Sequence, residues 1–338
     1  MKKIYVQFLT IALLVILSAS ASYAQVTVTI TNPTNTTPNL AGSYSSLASA
    51  ISALNGITAI SGPVILSADA GAETAPAGGF VINFTAATTV SNYVVITGTA
   101  TTTITASGSL TAGALNDAIF KIIGSDFITI QNFTMQENPA NTITTSCSNN
   151  MTEWGVALIY ASTTNGAQNI AVNNCSISLN RTYQNTFGIY SNSTHSATAP
   201  TTNATATSPA GSNSGLSILG NTISNVNMGI VVVGPTAAAN HNEGLTIGAF
   251  ENGNIITNFG TTGTISSYAN VSGTVNGILV RNTRNFNVSY NTITSSVGGT
   301  TSGTLNGIQM PAYSNAPTGT FTNNITYNTI SLQSANAS

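Results

Sequence analysis

The stretch GILVRNTRNFNVSYNTI, residues 277–293, contains both halves of a phrase that returns along the chain. The first half is a Gly followed by a β-branched or leucine-like residue, and the second half ends in Asn-Thr-Ile. The first half recurs at Gly155-Val156, Gly188-Ile189, Gly229-Ile230 and Gly307-Ile308, and the second at Asn221-Thr222-Ile223, Asn328-Thr329-Ile330 and, more loosely, Asn174-Cys175-Ser176-Ile177. Short apolar runs that repeat at irregular intervals between Asn-, Gly-, Ser- and Thr-rich turns are typical of a solenoid.

One helix is expected before these strands. Leu47, Ala50, Ile51 and Leu54 follow the i, i+3, i+4, i+7 spacing of an apolar helix face. Ser45 or Ser46 can cap its start, and Gly56 can end it. From residue 80 onward the sequence is typical of short strands and turns. A helix in this place can cover the apolar end of a solenoid, which otherwise exposes its core and its strand edges.

From residue 44 to the C-terminus the pattern resembles the right-handed parallel β-helix of the pectin-lyase-like superfamily. The resemblance implies an all-β fold: a single-stranded, right-handed parallel β-helix with a short N-terminal capping helix and Asn ladders at its bends. We expect an N-terminal strand and capping helix in residues 25–66 and the β-helix in residues 67–338. One circuit of such a coil, which we call a rung, takes about 22–25 residues, which predicts about ten to twelve rungs. Immunoglobulin-like sandwiches are the alternative fold, but no regular domain period is present.

The first 24 residues are typical of a signal peptide. Lys2 and Lys3 precede an apolar run at residues 8–17, and Ser22 and Ala24 offer small side chains for cleavage before Gln25. An uncleaved N-terminal anchor is the alternative. No later segment has the roughly 20 apolar residues of a membrane helix. These features predict a secreted or bacterial cell-surface protein with no membrane-spanning segment after the signal peptide.

Charge is scarce, because only 4% of the residues are charged. Without Lys2 and Lys3, four basic residues face eight acidic ones. No basic patch is available to neutralise phosphates, which argues against nucleic acid as a partner. The last residues stop in the middle of a repeat phrase, so we expect this chain to be the N-terminal part of a longer protein with further domains.

The two cysteines, Cys147 and Cys175, lie 28 residues apart, or about one rung. Strands of adjacent rungs lie about 4.8 Å apart, a separation that a disulfide can span. An exported protein meets an oxidising environment in which that bond can persist. Two buried thiols are the alternative, and the sequence leaves both possibilities open.

Catalytic groups are sparse. The resemblance implies that hydrolases of this fold carry closely spaced Asp residues, but no acid is adjacent to Asp69, Asp117 or Asp126. It also implies that polysaccharide lyases use an Arg or Lys base, usually with Ca²⁺ held by carboxylates. Arg281 and Arg284 are the candidates for such a base. We expect no cofactor unless the protein is a lyase, which would need Ca²⁺, and the spacing of His and Cys predicts no metal site.

A cluster of aromatic and polar residues offers a candidate glycan-binding platform, because sugar C–H faces pack on aromatic rings while hydroxyl groups form hydrogen bonds. Its members are Trp154, Tyr160, Arg181, Tyr183 and Tyr190, with Glu153 and Phe187 nearby in sequence. Trp154 is the one Trp in the chain. The alternative is an aromatic stack inside the solenoid.

Together these features favour an exported, non-enzymatic β-helix that acts as a surface stalk or adhesin-like scaffold. It would bind extracellular glycan or cell-surface matrix through loops and exposed Asn, Thr and aromatic rows. The alternative function is a carbohydrate-active enzyme on the same fold, most readily a polysaccharide (uronate) lyase. A spacer without any ligand is a third possibility.

Overall fold

A computed structural model describes residues 24–108, 110, 116–145, 148–149, 151–181, 185–195, 205–260, 274–295 and 304–333. Within these ranges the chain forms 31 short strands, numbered along the chain, one α-helix, α1 (Leu47–Asn55), and three 3-10 turns at Pro33–Asn35, Pro209–Gly211 and Ala238–Asn240. Most strands belong to three long sheets of stacked, mainly parallel strands. This is the arrangement of a β-helix-type solenoid. The hand of the coil stays a prediction.

Neighbouring strands of each long sheet are joined by hydrogen bonds. In spatial order, the ten-stranded sheet contains β3 (Ser43–Tyr44), β1 (Val28–Thr31), β5 (Val64–Ala68), β8 (Val94–Thr97), β11 (Ile128–Gln131), β16 (Ala171–Asn173), β19 (Ser217–Leu219), β23 (Thr246–Ile247), β27 (Phe286–Ser289) and β30 (Asn323–Thr326). The eight-stranded sheet contains β6 (Gly71–Thr74), β9 (Thr102–Thr105), β12 (Thr134–Gln136), β17 (Ser176–Ser178), β20 (Thr222–Val226), β24 (Ile255–Phe259), β28 (Thr292–Ser295) and β31 (Thr329–Ser331). The seven-stranded sheet contains β7 (Phe80–Ile82), β10 (Ala118–Ile123), β15 (Trp154–Ile159), β18 (Phe187–Ser191), β21 (Met228–Val233), β25 (Val275–Arg281) and β29 (Leu305–Gln309).

Three pairs of short strands lie outside the long sheets. They are β2 (Thr36–Thr37) with β4 (Ala59–Ile60), β13 (Ile143–Thr145) with β14 (Ser148–Asn149), and β22 (Asn242–Glu243) with β26 (Thr283–Arg284). The last pair is parallel and the other two are antiparallel. Strand β1 also runs antiparallel, on the outer edge of β5, so the N-terminal segment differs in direction from the stacked strands that follow it.

From β5 onward the chain visits the ten-, eight- and seven-stranded sheets in that order and then starts the next rung. The described residues form seven complete rungs and two strands of an eighth, so the expected ten to twelve rungs were wrong. The reason is loop length. Successive strands of the ten-stranded sheet start as little as 29 residues apart, from Ser217 to Thr246, and as much as 46 apart, from Ala171 to Ser217.

The Gly of the repeat phrase is required by the packing between rungs. Gly155, Gly188, Gly229, Gly277 and Gly307 occupy matching positions on successive strands of the seven-stranded sheet. A Cβ atom added to Gly188 would lie 2.4 Å from Cγ2 of Ile223 and 2.7 Å from the carbonyl oxygen of Gly229. Ile223 ends the Asn-Thr-Ile half of the phrase. The two halves of the phrase therefore interlock, because the Ile fills the space that the Gly leaves.

The Asn of the phrase forms a ladder at the bend between the ten- and eight-stranded sheets, as the resemblance implied. The side-chain amides of Asn221, Asn254 and Asn291 each donate to the Oδ1 atom of the next Asn, the last being Asn328, over 2.8–3.0 Å. Each amide also donates to a strand carbonyl of an earlier rung, as Asn254 does to Ile218 at 2.9 Å. These bonds satisfy buried polar groups at the bend.

Helix α1 forms as the apolar spacing predicted, with Leu47, Ala50, Ile51 and Leu54 buried in the same core as the inward side chains of the strands. Its last residue, Asn55, donates to the Val81 carbonyl at 2.7 Å and accepts from the Asn83 amide at 2.9 Å. The Asn55 side chain thus forms the kind of hydrogen bonds that the backbone of a neighbouring strand would form with the edge strand β7. The helix and its bounds are confirmed; its role as a cap stays a prediction.

Candidate functional site

The outer face of the seven-stranded sheet is largely buried from β10 to β25. Its outward side chains pack into an apolar cluster separate from the inner core, which we call the outer cluster. Its buried members are Ala118, Met151, Trp154, Ala157, Phe187, Tyr190, Met228, Val231, Val233 and Leu279. The solenoid therefore has a second apolar layer on one side.

The aromatic part of the outer cluster is closely packed. The rings of Trp154 and Tyr190 stack with 5.1 Å between centroids and 11° between planes, and His195 meets both rings edge-on. The Tyr190 hydroxyl lies 3.0 Å from Nδ1 of His195 and accepts from the Asn192 amide at 3.1 Å. Trp154 Nε1 and His195 Nε2 have no hydrogen-bond partner among the described residues. These contacts make the rings part of a packed, buried cluster.

Charged groups border the cluster, which the sequence spacing did not reveal. Lys121 lies with Nζ 5.6 Å from the Trp154 ring centroid and donates to the Asn116 carbonyl. The backbone amide of Asp117 donates to Oε2 of Glu153 at 2.8 Å. Burial raises the pKa of Asp117 and lowers the pKa of Lys121, while their opposite charges act against both shifts. Asp117, which has no acid adjacent to it in sequence, therefore interacts in the fold with the charges of Lys121 and Glu137.

Glu137, a further acid near Asp117, serves a structural purpose. Its carboxylate accepts from the Thr152 hydroxyl at 2.8 Å, the Thr152 amide at 3.0 Å and the Asn141 side chain at 2.8 Å. Burial raises its pKa, and these hydrogen bonds oppose that rise. The bonds hold the chain after β12 against the segment that leads into β15.

The predicted glycan platform is only partly brought together. Trp154 and Tyr190 stack, but both are 0% exposed, so neither ring offers a face to a ligand from outside. Tyr160 is half-buried, and Arg181 donates instead to Oδ1 of Asn258 at 2.6 Å. Tyr183 lies outside the described residues. The rings are also not the predicted alternative, a stack inside the solenoid, because they pack on its outside.

The two candidate lyase arginines lie on different elements. Arg281 ends β25, whereas Arg284 lies on β26 and forms an ion pair with Glu243 of β22. Glu243 comes from the preceding rung, so stacking supplies the acid that no sequence neighbour offered. Arg284 is thus a charge-paired side chain at a corner of the coil. A catalytic role for either arginine stays a prediction.

The predicted disulfide is not tested, because Cys147 lies outside the described residues. Cys175 is buried, and burial raises the pKa of its thiol to about 12. Its sulfur lies 3.4 Å from the Asn173 carbonyl. Its backbone amide donates to Oδ1 of Asn221 at 2.9 Å, so Cys175 stands at the start of the Asn ladder.

A different group of aromatic residues is exposed. Phe250, Tyr290 and Tyr327 lie on successive rungs at the bend between the ten- and eight-stranded sheets and are 67%, 37% and 75% exposed. Tyr290 and Tyr327 stack with 4.9 Å between centroids and 17° between planes, and Phe250 meets Tyr290 edge-on at 5.6 Å. We call these three residues the aromatic stripe. It presents ring surface to solvent, which the outer cluster does not.

The backbone of the stripe is unusual. Tyr290 and Tyr327 have φ angles of 60° and 56°, each as the first residue after a strand of the ten-stranded sheet. At the same position in earlier rungs the chain has Asn132, Asn174 and Gly220, also with positive φ. Gly and Asn tolerate this left-handed conformation, whereas a bulky side chain there is an outlier that costs about 1–2 kcal/mol. An outlier of this kind supports a hypothesis of function.

Beside the stripe, the outer face of the eight-stranded sheet presents two columns of mostly hydroxyl side chains, which we call the hydroxyl face. The first column is Thr103, Thr134, Ser176, Thr222, Ile255, Thr292 and Thr329; the second is Thr105, Gln136, Ser178, Ser224, Thr257, Thr294 and Ser331. The inward residue between the two columns is Ile or Met in every strand from β9 onward. The signal in the sequence was this Thr/Ser-Ile-Thr/Ser alternation.

Among the described residues, no three His, Cys, Asp or Glu side chains are grouped so that they could hold a metal ion. No helix in the same ranges has the length and apolar character to cross a membrane. Comparison of the chain with family models, with curated proteins and with solved structures found no match.

Proposed function

We propose that this protein is an exported, non-enzymatic β-solenoid of the bacterial cell surface that binds neutral glycans through the aromatic stripe. The observation that carries the proposal is the exposed stack of Tyr290 on Tyr327, held in a backbone conformation that other rungs give to Asn or Gly. The signal-peptide pattern at residues 1–24 supports export. Seven rungs at about 4.8 Å each make a stalk of about 34 Å.

The chemistry of the stripe suits a neutral sugar. Aromatic rings offer π-faces to sugar C–H groups, and the adjoining Thr and Asn side chains offer hydrogen-bond donors and acceptors. The charged side chain next to the rings in sequence is Glu251, which is exposed and carries the same sign as a uronate. A neutral ligand avoids that repulsion. The uronate lyase alternative gains no comparable support, because Arg284 is already paired with Glu243.

Two further elements of the proposal concern the ends and the charge of the stalk. Helix α1 would act as the N-terminal cap, with Asn55 closing the edge of β7 through its two hydrogen bonds. The low charge of the chain would let the stalk approach a neutral matrix without a long-range electrostatic barrier.

The test is a binding assay of the mature chain on immobilised neutral polysaccharides. Tyr327→Ala is expected to weaken binding at least about tenfold, since a buried aromatic contact contributes more than about 1.4 kcal/mol in a typical recognition site. Tyr93→Ala is the matched control, because Tyr93 is also exposed but lies outside the stripe. Equal binding by wild type and Tyr327→Ala would refute the stripe as the site.

A second arm addresses the enzyme alternative. The wild-type chain is incubated with uronic-acid polymers, with and without Ca²⁺, and the absorbance of unsaturated chain ends is followed. The proposal expects no new absorbance. Absorbance that appears with wild type and is lost in Arg281→Ala would replace the proposal with the lyase.

A further inference from the structure

We propose that the hydroxyl face and the aromatic stripe form one continuous surface that binds an ordered array of neutral polysaccharide chains, such as the flat face of an insoluble fibre. This inference rests on the proposed function and extends it from the binding of a sugar to the binding of an ordered array of polysaccharide chains. It follows from the regular spacing and the chemistry of the two columns, of which the first is exposed from Ser176 onward and the second is mostly half-buried.

The spacing of the columns is set by the sheet. Residues in one column repeat along the solenoid axis every 4.8 Å or so, the distance between stacked strands. The two columns are two residues apart on each strand, which places them about 6.6 Å from each other. Hydroxyl side chains occupy six of the seven positions in each column, Ile255 and Gln136 being the exceptions. The result is a nearly unbroken rectangular lattice.

Most hydroxyl groups of this lattice are not used by the protein itself. Within the described residues, Thr105 accepts from Gln136 at 3.1 Å and Ser178 accepts from Asn225 at 2.8 Å. The hydroxyls of Thr222 and Thr292 form no hydrogen bond there, and both side chains are exposed. Threonine is restricted at χ1, so its hydroxyl is held in place before any ligand arrives. Little rotamer entropy is then lost on binding.

The width of the surface argues for several chains. Thr292 and Thr294 lie side by side on β28, and Tyr290 lies at the bend just before this strand, so the stripe borders the two columns. A single polysaccharide chain along the axis can cover one of these lines but not all three. An ordered array of parallel chains can cover all three at once, with rings over the stripe and chain hydroxyls over the columns.

The columns also exclude a charged polymer as the preferred occupant. None of their fourteen side chains carries a charge. A surface of this kind has no group to pair with a sulfate or a uronate, and ionic ligands keep their hydration unless they are paired. Ice also has a surface with a regular two-dimensional repeat and is the alternative ligand. Incorporation of the protein into growing ice crystals distinguishes ice binding from polysaccharide binding.

The experiment compares wild type with the double variant Thr222→Lys/Thr292→Lys, which places two charges in the first column. The control is Thr129→Lys/Thr246→Lys, which adds the same charges to outward positions of the ten-stranded sheet. Each protein is tested on a neutral polysaccharide in crystalline form and as soluble oligosaccharide, and circular dichroism verifies folding. We expect the Thr222→Lys/Thr292→Lys variant to bind the crystalline form at least about tenfold more weakly than wild type does, with no change on the soluble form. The control variant should bind both forms like wild type.

Several results would overturn the inference. It fails if the column variant binds the crystalline form like wild type, or if wild type binds the soluble form equally well. It also fails if the wild-type protein binds none of the polysaccharides but is incorporated into growing ice. Tyr327→Ala, measured in parallel, separates the two proposals: unchanged binding by that variant together with a loss in the column variant would reject the stripe and keep the columns.

Discussion

The seven-stranded and eight-stranded sheets share one apolar interior but have opposite exteriors. On the seven-stranded sheet the outward residues Trp154, Tyr190 and Val231 are fully buried, and charged groups such as Lys121 are buried beside them. On the eight-stranded sheet the outward residues are largely uncharged hydroxyl side chains that are exposed or half-buried. The inward Ile and Val residues build the coil, so the outward positions are free to differ. The covered exterior is therefore an added layer of core, and the bare exterior is the surface available for recognition.

The sharpest test of this comparison uses two outward positions in the same rung. Val231→Lys is expected to destabilise the fold by about 4 kcal/mol or more, because it places an unpaired charge in the outer cluster. Thr222→Lys is expected to change stability by less than about 0.5 kcal/mol, because Thr222 is exposed on the outward face of β20. Urea unfolding of both variants measures the difference. Similar losses in the two variants would contradict the distinction between covered and bare faces.

The shared interior is tested at the interlock of Gly and Ile. Gly188→Ala is expected to cost about 3 kcal/mol, because its Cβ would lie 2.4 Å from Ile223 and 2.7 Å from a backbone oxygen of the next rung. Gly42→Ala is the control, since a Cβ there meets nothing within 4 Å. Thermal unfolding of the two variants gives the comparison. A Gly188→Ala protein as stable as the control would show that neighbouring rungs are loosely packed.

The two exteriors should also differ in their response to pH. Burial, aided by the charge of Lys121, lowers the pKa of His195 from 6.5 to about 4. Between these pH values His195 is protonated in the unfolded chain but not in the folded chain. The free energy of unfolding therefore falls as pH drops from about 6.5 towards 4. Because the ring is partly exposed, we expect a loss of about 2 kcal/mol, less than the full shift implies.

His195→Gln removes this titration and should therefore reduce the loss of folding stability between pH 7 and pH 4. The raised pKa values of Asp117 and Glu137 act in the opposite direction, since those groups favour the folded state as pH falls. They are present in both proteins, so the difference between wild type and variant reports His195. Equal pH profiles would mean that His195 is hydrated. Binding at the hydroxyl face, which contains no titratable side chain, should not change over the same range.

The architecture was largely predictable because its signals are local. Gly188, Ile223 and Asn254 are each required by contacts that repeat in several successive rungs, so the phrase returns in the sequence. The rung number was not predictable, since loop lengths vary without affecting those contacts. The exposure of the aromatic residues was not predictable, because Trp154 and Tyr327 are both aromatic residues near turns, and only the register of neighbouring rungs decides which ring is covered.

The Asn ladder and the Gly–Ile interlock have a consequence for how such a chain can change length. From Gly155 onward successive rungs share the Gly–Ile contact, and from Asn221 onward they also share the Asn ladder, whatever the length of the loop between them. A duplication or deletion of one whole rung in this part of the stack therefore preserves these repeating contacts, whereas a shift of a single residue within a strand breaks them at that rung. Growth by complete units, with free variation of the loops, is the route of change that this geometry permits.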